Sequence, residues 1–160
     1  MEYTFRPDQL DIFNILIDDA SISLESILNL KRVDNYVEFE IERRTFENVT
    51  RKKKLFRNVT YLKGKTSIVR IENVSDINVT GLTEQFMCNH FLVEAELNSE
   101  GELQIESAFG LIINLKTSSE FIIKLSDIKD SEFGKGTVGG KIGYTAEEWM
   151  RLLDEKGYTA

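Results

Sequence analysis

Apolar residues fall on every second position through residues 90–107: Phe91, Val93, Ala95 and Leu97 alternate with Glu94 and Glu96, and Leu103, Ile105 and Ser107 resume the same face. A period of two places successive side chains on opposite faces of an extended strand, so this stretch reads as two half-buried strands. Residues 98–101, Asn-Ser-Glu-Gly, supply the turn between them. The same alternation runs through residues 36–42, where Val37, Phe39 and Ile41 interleave with Glu38, Glu40 and Glu42. A second hairpin is expected to join residues 111–115 to residues 121–125 through a turn at 116–120, again with odd-numbered apolar positions on one face. Residues 10–17 fit neither a helical nor a strand period well, and either element suits them.

Short strands with short connections predict a mainly β fold, an antiparallel sandwich or open barrel with a short C-terminal helix. Thr145 followed three residues later by Glu148 forms a capping-box pattern at a helix start. Trp149, Leu152 and Leu153 make an apolar stripe at helical spacing, and Gly157 suits the stop. Between strands and helix, five glycines lie within residues 134–143, too many for a regular element without a reason. The expected organisation is therefore a β-rich domain over 1–133, a Gly-rich loop over 134–144 and a helix over 145–157 that docks on the same domain. With 160 residues and a single proline, Pro7, no linker divides the chain.

One cysteine, Cys88, excludes an intrachain disulfide and suggests a reducing, cytoplasmic compartment. The opening residues carry no basic start with a long apolar run, as a secretion signal would. No apolar run approaches the roughly 20 residues that cross a bilayer, and a membrane is not among the expected partners.

The formal charge of −7 argues against general nucleic-acid affinity, but it is unevenly distributed. Residues 43–70 hold ten Lys and Arg against Glu47 alone, a local +9 that leaves −16 on the remainder. Within it, Arg51, Lys52, Lys53, Lys54 and Arg57, with Phe56 and Tyr61 among them, are the candidate anion-binding residues. The structural alternative is a lysine-rich strand edge, or a hairpin turning near Asn48 that sets Glu38, Glu40 and Glu42 opposite Lys52 and Lys54. Trp149, Leu152 and Leu153 are candidate contacts for a protein partner or a second copy, against the simpler expectation that a terminal amphipathic helix covers its own sheet.

Other constellations lack the spacing their chemistry needs. Cys88 and His90 share a strand face, but parallel neighbours do not converge and no orienting carboxylate is identifiable. One histidine and one cysteine make a poor zinc site, and Asp18 and Asp19 lack the ligand spacing and glycine of a calcium loop. Gly134-Lys-Gly-Thr-Val-Gly-Gly-Lys141 misses the phosphate-loop spacing. Four Asn-Val-Ser/Thr triplets, at Asn48, Asn58, Asn73 and Asn78, are ordinary turn and strand residues in a chain without a secretion signal. No catalytic, cofactor or metal residue is assigned.

The order from Asp18-Asp-Ala20, through the alternating strand at 37–41 and the segment 68–77, Ile-Val-Arg-Ile-Glu-Asn-Val-Ser-Asp-Ile, to the hairpins of 91–125 resembles small bacterial β-rich families. These include uncharacterised proteins and immunity proteins of toxin systems. The resemblance implies protein binding, with no catalytic residues to carry over. The expected function is a non-enzymatic binding protein. An anionic-ligand or nucleic-acid binder through residues 51–57 is the second expectation, and an enzyme or small-ligand carrier with a site dispersed in sequence is the third.

Overall fold

A computed structural model describes residues 1–82 and 90–158. The elements are β1 (Glu2–Phe5), a 3₁₀ turn (Pro7–Gln9), α1 (Leu10–Ile17), β2 (Ser21–Ile22), α2 (Leu24–Leu28), β3 (Lys31–Val33) and β4 (Tyr36–Arg44). They continue with β5 (Thr50–Lys54), β6 (Arg57–Thr80), β7 (His90–Leu97), β8 (Leu103–Ser107), β9 (Ile112–Gly139) and α3 (Ala146–Glu155). The ambiguous segment at 10–17 is thus a helix, burying Ile12, Phe13, Leu16 and Ile17.

The alternation seen in the sequence sets the inward face in β4, β8 and β9 but not throughout β7. There Phe91, Val93 and Leu97 are exposed and His90, Leu92 and Ala95 are buried, because a register shift between Leu92 and Glu94 breaks the period of two. Val37, Phe39 and Ile41 of β4, Ala95 of β7, Leu103 and Ile105 of β8, and Ile113, Leu115, Ile123 and Leu125 of β9 are all buried in one core. The strands run antiparallel in the order β9-β8-β7-β2-β4-β6, and β6 pairs back with β9, which closes a six-stranded barrel. Closure removes the free edges that an open sheet would present. The sandwich alternative is not what forms: a single sheet curls onto itself.

The expected hairpin across residues 111–125 is replaced by one continuous strand. Both halves of β9 pair with the same partner, Leu115 with Ile77 and Ile123 with Ile71. Residues 116–120 form a bulge in that ladder instead of a turn. Opposite it, Asn73 sits at φ 65° and donates from Nδ2 to the Glu120 carbonyl at 2.9 Å, and Ser75 Oγ donates to the Lys116 carbonyl at 3.2 Å. These side chains satisfy carbonyls that the bulge takes out of register.

The Gly-rich segment is likewise not a loop over its first half. Residues 134–139 belong to β9, with Gly136 opposite Leu62 and Gly139 opposite Val59. The ladder supplies the backbone hydrogen bonds that offset the entropy of ordering glycine, and only residues 140–145 connect to α3. That helix forms as expected, with Thr145 accepting from the Glu148 amide and Glu148 accepting from the Thr145 amide.

Because β2 is only two residues long, it cannot cover the length of β7. Asn14 of α1 completes the wall: its Nδ2 donates to the Ala95 carbonyl at 3.0 Å and its Oδ1 accepts from the Ala95 amide at 2.7 Å. A second, smaller apolar cluster of Phe46, Val49 and Leu62, with Val138 against it, supports the far ends of β6 and β9. There β5 pairs with β6 alone and forms one end of the sheet path.

At the junction between barrel and extension, Gly64 of β6 meets the Phe133 and Ser131 carbonyls so closely that a Cβ would overlap backbone atoms. Gly64→Ala is expected to cost about 1–3 kcal/mol, the usual range for overpacking. Urea unfolding checks it, and a neutral result would show that the β9 bulge at residues 131–136 can move aside.

Candidate functional site, a basic hairpin with an apolar apex

Of the ten cations of residues 43–70, Arg44 and Lys63 lie in the fields of Asp18 and Asp130 respectively, without a direct ion pair among the described residues. The other eight separate into structural and free groups. Arg43 is fully buried. Its guanidinium donates to Glu47 through Nη2 (2.8 Å) and Nη1 (3.2 Å), and to Asp127 through Nη2 (3.0 and 3.1 Å) and Nε (3.2 Å). Ser67 Oγ donates to the same Asp127 carboxylate at 2.7 Å, and the Tyr3 hydroxyl donates to Glu47 at 3.3 Å. Burial lowers the Arg43 pKa, but the hydrogen bonds and charges of Glu47 and Asp127 outweigh it and leave the pKa raised. Burial, and after it the Glu47 charge, pushes the Tyr3 phenol above its ordinary value, so Tyr3 remains a donor. This network floors a cavity of about 550 Å³ between β1 and α3, with Trp149, Met150 and Leu153 on its apolar wall. Both carboxylates are engaged by Arg43, so the arrangement ties β4 to its following turn and to β9.

Arg51, Lys65 and Arg70 are also committed. Arg51 Nη1 pairs with Glu148 at 2.6 Å and its Nη2 donates to the Gly143 carbonyl at 2.6 Å, so it clamps the start of α3 to β5. Lys65 pairs with Asp130, and Arg70 with Glu38. The expectation that Arg51 belongs to a free anion site therefore fails, because its charge is spent inside the fold.

Lys52, Lys53, Lys54 and Arg57 are different. Their cross-strand partners are Val59 for Lys52, Asn58 for Lys53, and Arg57 for Lys54. Glu38, Glu40 and Glu42 lie on β4, which pairs with β6 at Arg70, Ile68 and Thr66, so they do not oppose these lysines. Among the described residues, none of the four cations forms an ion pair within 4.0 Å. Lys52 and Lys54 instead lie over the Tyr61 ring, 5.7 and 5.6 Å from its centroid.

Between Lys54 and Arg57 the strands join through two residues, Leu55 and Phe56. These side chains are 90% and 98% exposed. Leu55 takes φ 41°, a left-handed conformation that costs a residue with a Cβ about 1–2 kcal/mol. Two-residue hairpin loops ordinarily place Gly or Asn in such a position. Sequence reasoning singled out the cations but missed Leu55, and the available signal was an apolar pair where a turn residue belongs.

The remaining sequence candidates sit elsewhere. Trp149 and Leu153 are buried in the chain's own core and Leu152 packs against it, so the stripe proposed as a partner contact covers the barrel instead. His90 is buried on β7, and Cys88 lies outside the described residues. Asp18 and Asp19 follow α1, with Asp19 at φ 55° in a turn. Val49, Val59 and Val74 of the Asn-Val-Ser/Thr triplets are core residues. Among the described residues, no group of three or more His, Cys, Asp and Glu is placed to hold a metal ion, and no helix is long and apolar enough to cross a membrane. The chain matches no protein-family model, no curated protein and no solved structure.

Removing the guanidinium while both acids stay buried is expected to be costly. Arg43→Met should lose about 3–5 kcal/mol of stability in urea unfolding, and adding Glu47→Gln and Asp127→Asn should recover part of it. A second prediction concerns α3. The bond from the Thr145 amide, then the Arg51 guanidinium, holds the Glu148 carboxyl below its ordinary value of 4.5. Its contribution is therefore complete above that value and is lost as the pH falls through the depressed one. Trp149, the single tryptophan, reports the docking: its emission should shift red below about pH 4.5. Glu148→Gln should abolish that acid component.

Proposed function

We propose that the chain is a non-enzymatic binding protein whose contact element is the β5–β6 hairpin, and that its partner is anionic at the point of contact. The observation that carries the proposal is the apex: Leu55 and Phe56 stand almost fully in solvent, on a turn strained at Leu55, among four cations that have no acidic partner within 4.0 Å among the described residues. A lysine-rich edge strand that merely resists aggregation accounts for Lys52, Lys53 and Lys54. It does not account for an exposed leucine and phenylalanine, which raise the very hazard such an edge avoids. Strain held at an exposed apolar turn is the pattern of a contact site, since nothing in the fold gains from it.

The filled barrel supports the same reading over an internal ligand site. Phe39, Ile41, Val69, Ile71, Leu92, Ile105 and Ile123 are packed in its core, and α1 closes its wall through Asn14. A cytoplasmic setting belongs to the proposal and rests on the single cysteine. The protein-binding expectation attached to the immunity-type resemblance is compatible with it.

Heparin, a sulfated polyanion, is a suitable first probe. The chain should bind it with an affinity that falls steeply with salt. Replacing Lys52, Lys53 and Lys54 together by alanine should reduce the slope of log affinity against log salt by about three, one for each lost contact. Binding that ignores salt, or that the triple variant retains unchanged, would remove the proposal.

A further inference from the structure

Resting on the reading of the hairpin as the contact element, we propose that its partner is an anionic lipid surface, met apex first, with Leu55 and Phe56 entering the interface and Lys52, Lys53, Lys54 and Arg57 level with the headgroups. This goes against the sequence expectation of no membrane partner, which rested on the lack of a spanning segment. The dimensions fit. All four cations lie within three residues of the apolar pair, about 10 Å along a strand, which matches the depth to which peripheral elements bury apolar side chains at a bilayer surface.

The chemistry of the apex favours lipid over nucleic acid. A single-strand binder stacks bases on aromatic faces, but Leu55 offers no such face, and the nearby Tyr61 ring already carries the Lys52 and Lys54 ammonium groups. An aliphatic residue beside a phenylalanine gains instead from hydrocarbon contact.

The acidic body does not forbid the approach. With the four cations set aside, the rest of the chain carries −11 of the overall −7. The apex stands four strand residues beyond the Arg51–Glu148 clamp, about 13 Å. That exceeds the Debye length of about 8 Å at physiological ionic strength for Leu55 and Phe56 at the tip. Lys52, by contrast, lies one residue from the clamp and inside that distance, so at the headgroup level the four cations act against the body's repulsion.

The test uses the full chain in flotation with phosphatidylcholine vesicles containing about one-third phosphatidylserine, against phosphatidylcholine alone. Heparin and a single-stranded oligonucleotide serve as lipid-free polyanions. The chain should float with the phosphatidylserine vesicles only. Phe56→Ser should weaken this by about tenfold or more. The triple alanine variant at Lys52, Lys53 and Lys54 should weaken it on the order of a hundredfold, at about fivefold for each cation near the surface.

Leu55→Gly is the discriminating variant. It relieves the left-handed strain, so its unfolding midpoint should hold or rise while vesicle binding falls about tenfold. Vesicle binding that is indifferent to phosphatidylserine, or unchanged in Leu55→Gly and Phe56→Ser, would overturn the lipid inference. Failure on vesicles with lysine-dependent binding to heparin or the oligonucleotide would overturn the lipid inference and leave the anionic contact standing. Failure on all three probes would remove both.

Discussion

The β6–β9 ladder is the constraint on which the rest of the structure depends. It runs from Val59 opposite Gly139 to Thr80 opposite Ile112, and it does two jobs along its length. Its lower half joins the two ends of a curled sheet and closes the barrel. Its upper half continues beyond the closure as a ribbon, to which β5 adds a third strand. A straight ladder could not do both, because closing a barrel requires strong coiling. The register shifts at Leu62/Gly64, Thr66/Ser67, Glu72/Val74 and Val74/Asp76 provide it, since each extra residue bends its strand and increases the local twist. The hairpin apex is thus the distal consequence of how the barrel closes.

Where the ribbon leaves the barrel, the core changes character. Arg43 continues the inward face of Val37, Phe39 and Ile41, but at that point the wall must meet β1, the turn after β4 and α3 together. A guanidinium can satisfy several acceptors in fixed directions, which an aliphatic side chain cannot. Its bonds to Glu47 and Asp127 tie β4 to its following turn and to β9. Such a network adds little net stability over an apolar core of equal volume, while the loss of one partner is severe. Its contribution is directional: it ties the β4–β5 connection, and with it the start of the ribbon, to the barrel.

Much of the barrel was legible because its inward faces follow a period of two. The pairing of β7 with β8, the alternation of β4 and the capping box of α3 are local patterns, and local patterns are what a sequence displays directly. Within β7, however, with its register shift between Leu92 and Glu94, Phe91, Val93 and Leu97 face outward against that reading. The errors share a cause. Residues 116–120 look like a turn and residues 134–139 look like a loop, and each is held in β9 by pairing with β6 residues some 40 to 80 positions away. Arg43 and Arg51 counted as members of a basic patch until the fold set Glu47, Asp127 and Glu148 against them. Charge can be read from sequence, but whether a charge is spent depends on partners that only tertiary structure brings near.

The apex is where local and global preferences disagree. Every level that shapes the ribbon argues for Gly or Asn at position 55: the two-residue turn, the positive φ and the solvent on all sides. Natural sequences are locally consistent except where function imposes a cost, so a disagreement this complete points outward. The cost is also well placed. It falls on an exposed turn that the core does not lean on, and the Arg51 clamp and the Phe46, Val49 and Leu62 cluster hold the base of the ribbon independently of it. An apex built this way can keep two apolar side chains in water without loosening the barrel, and among the described residues no acid pairs with the four cations behind them.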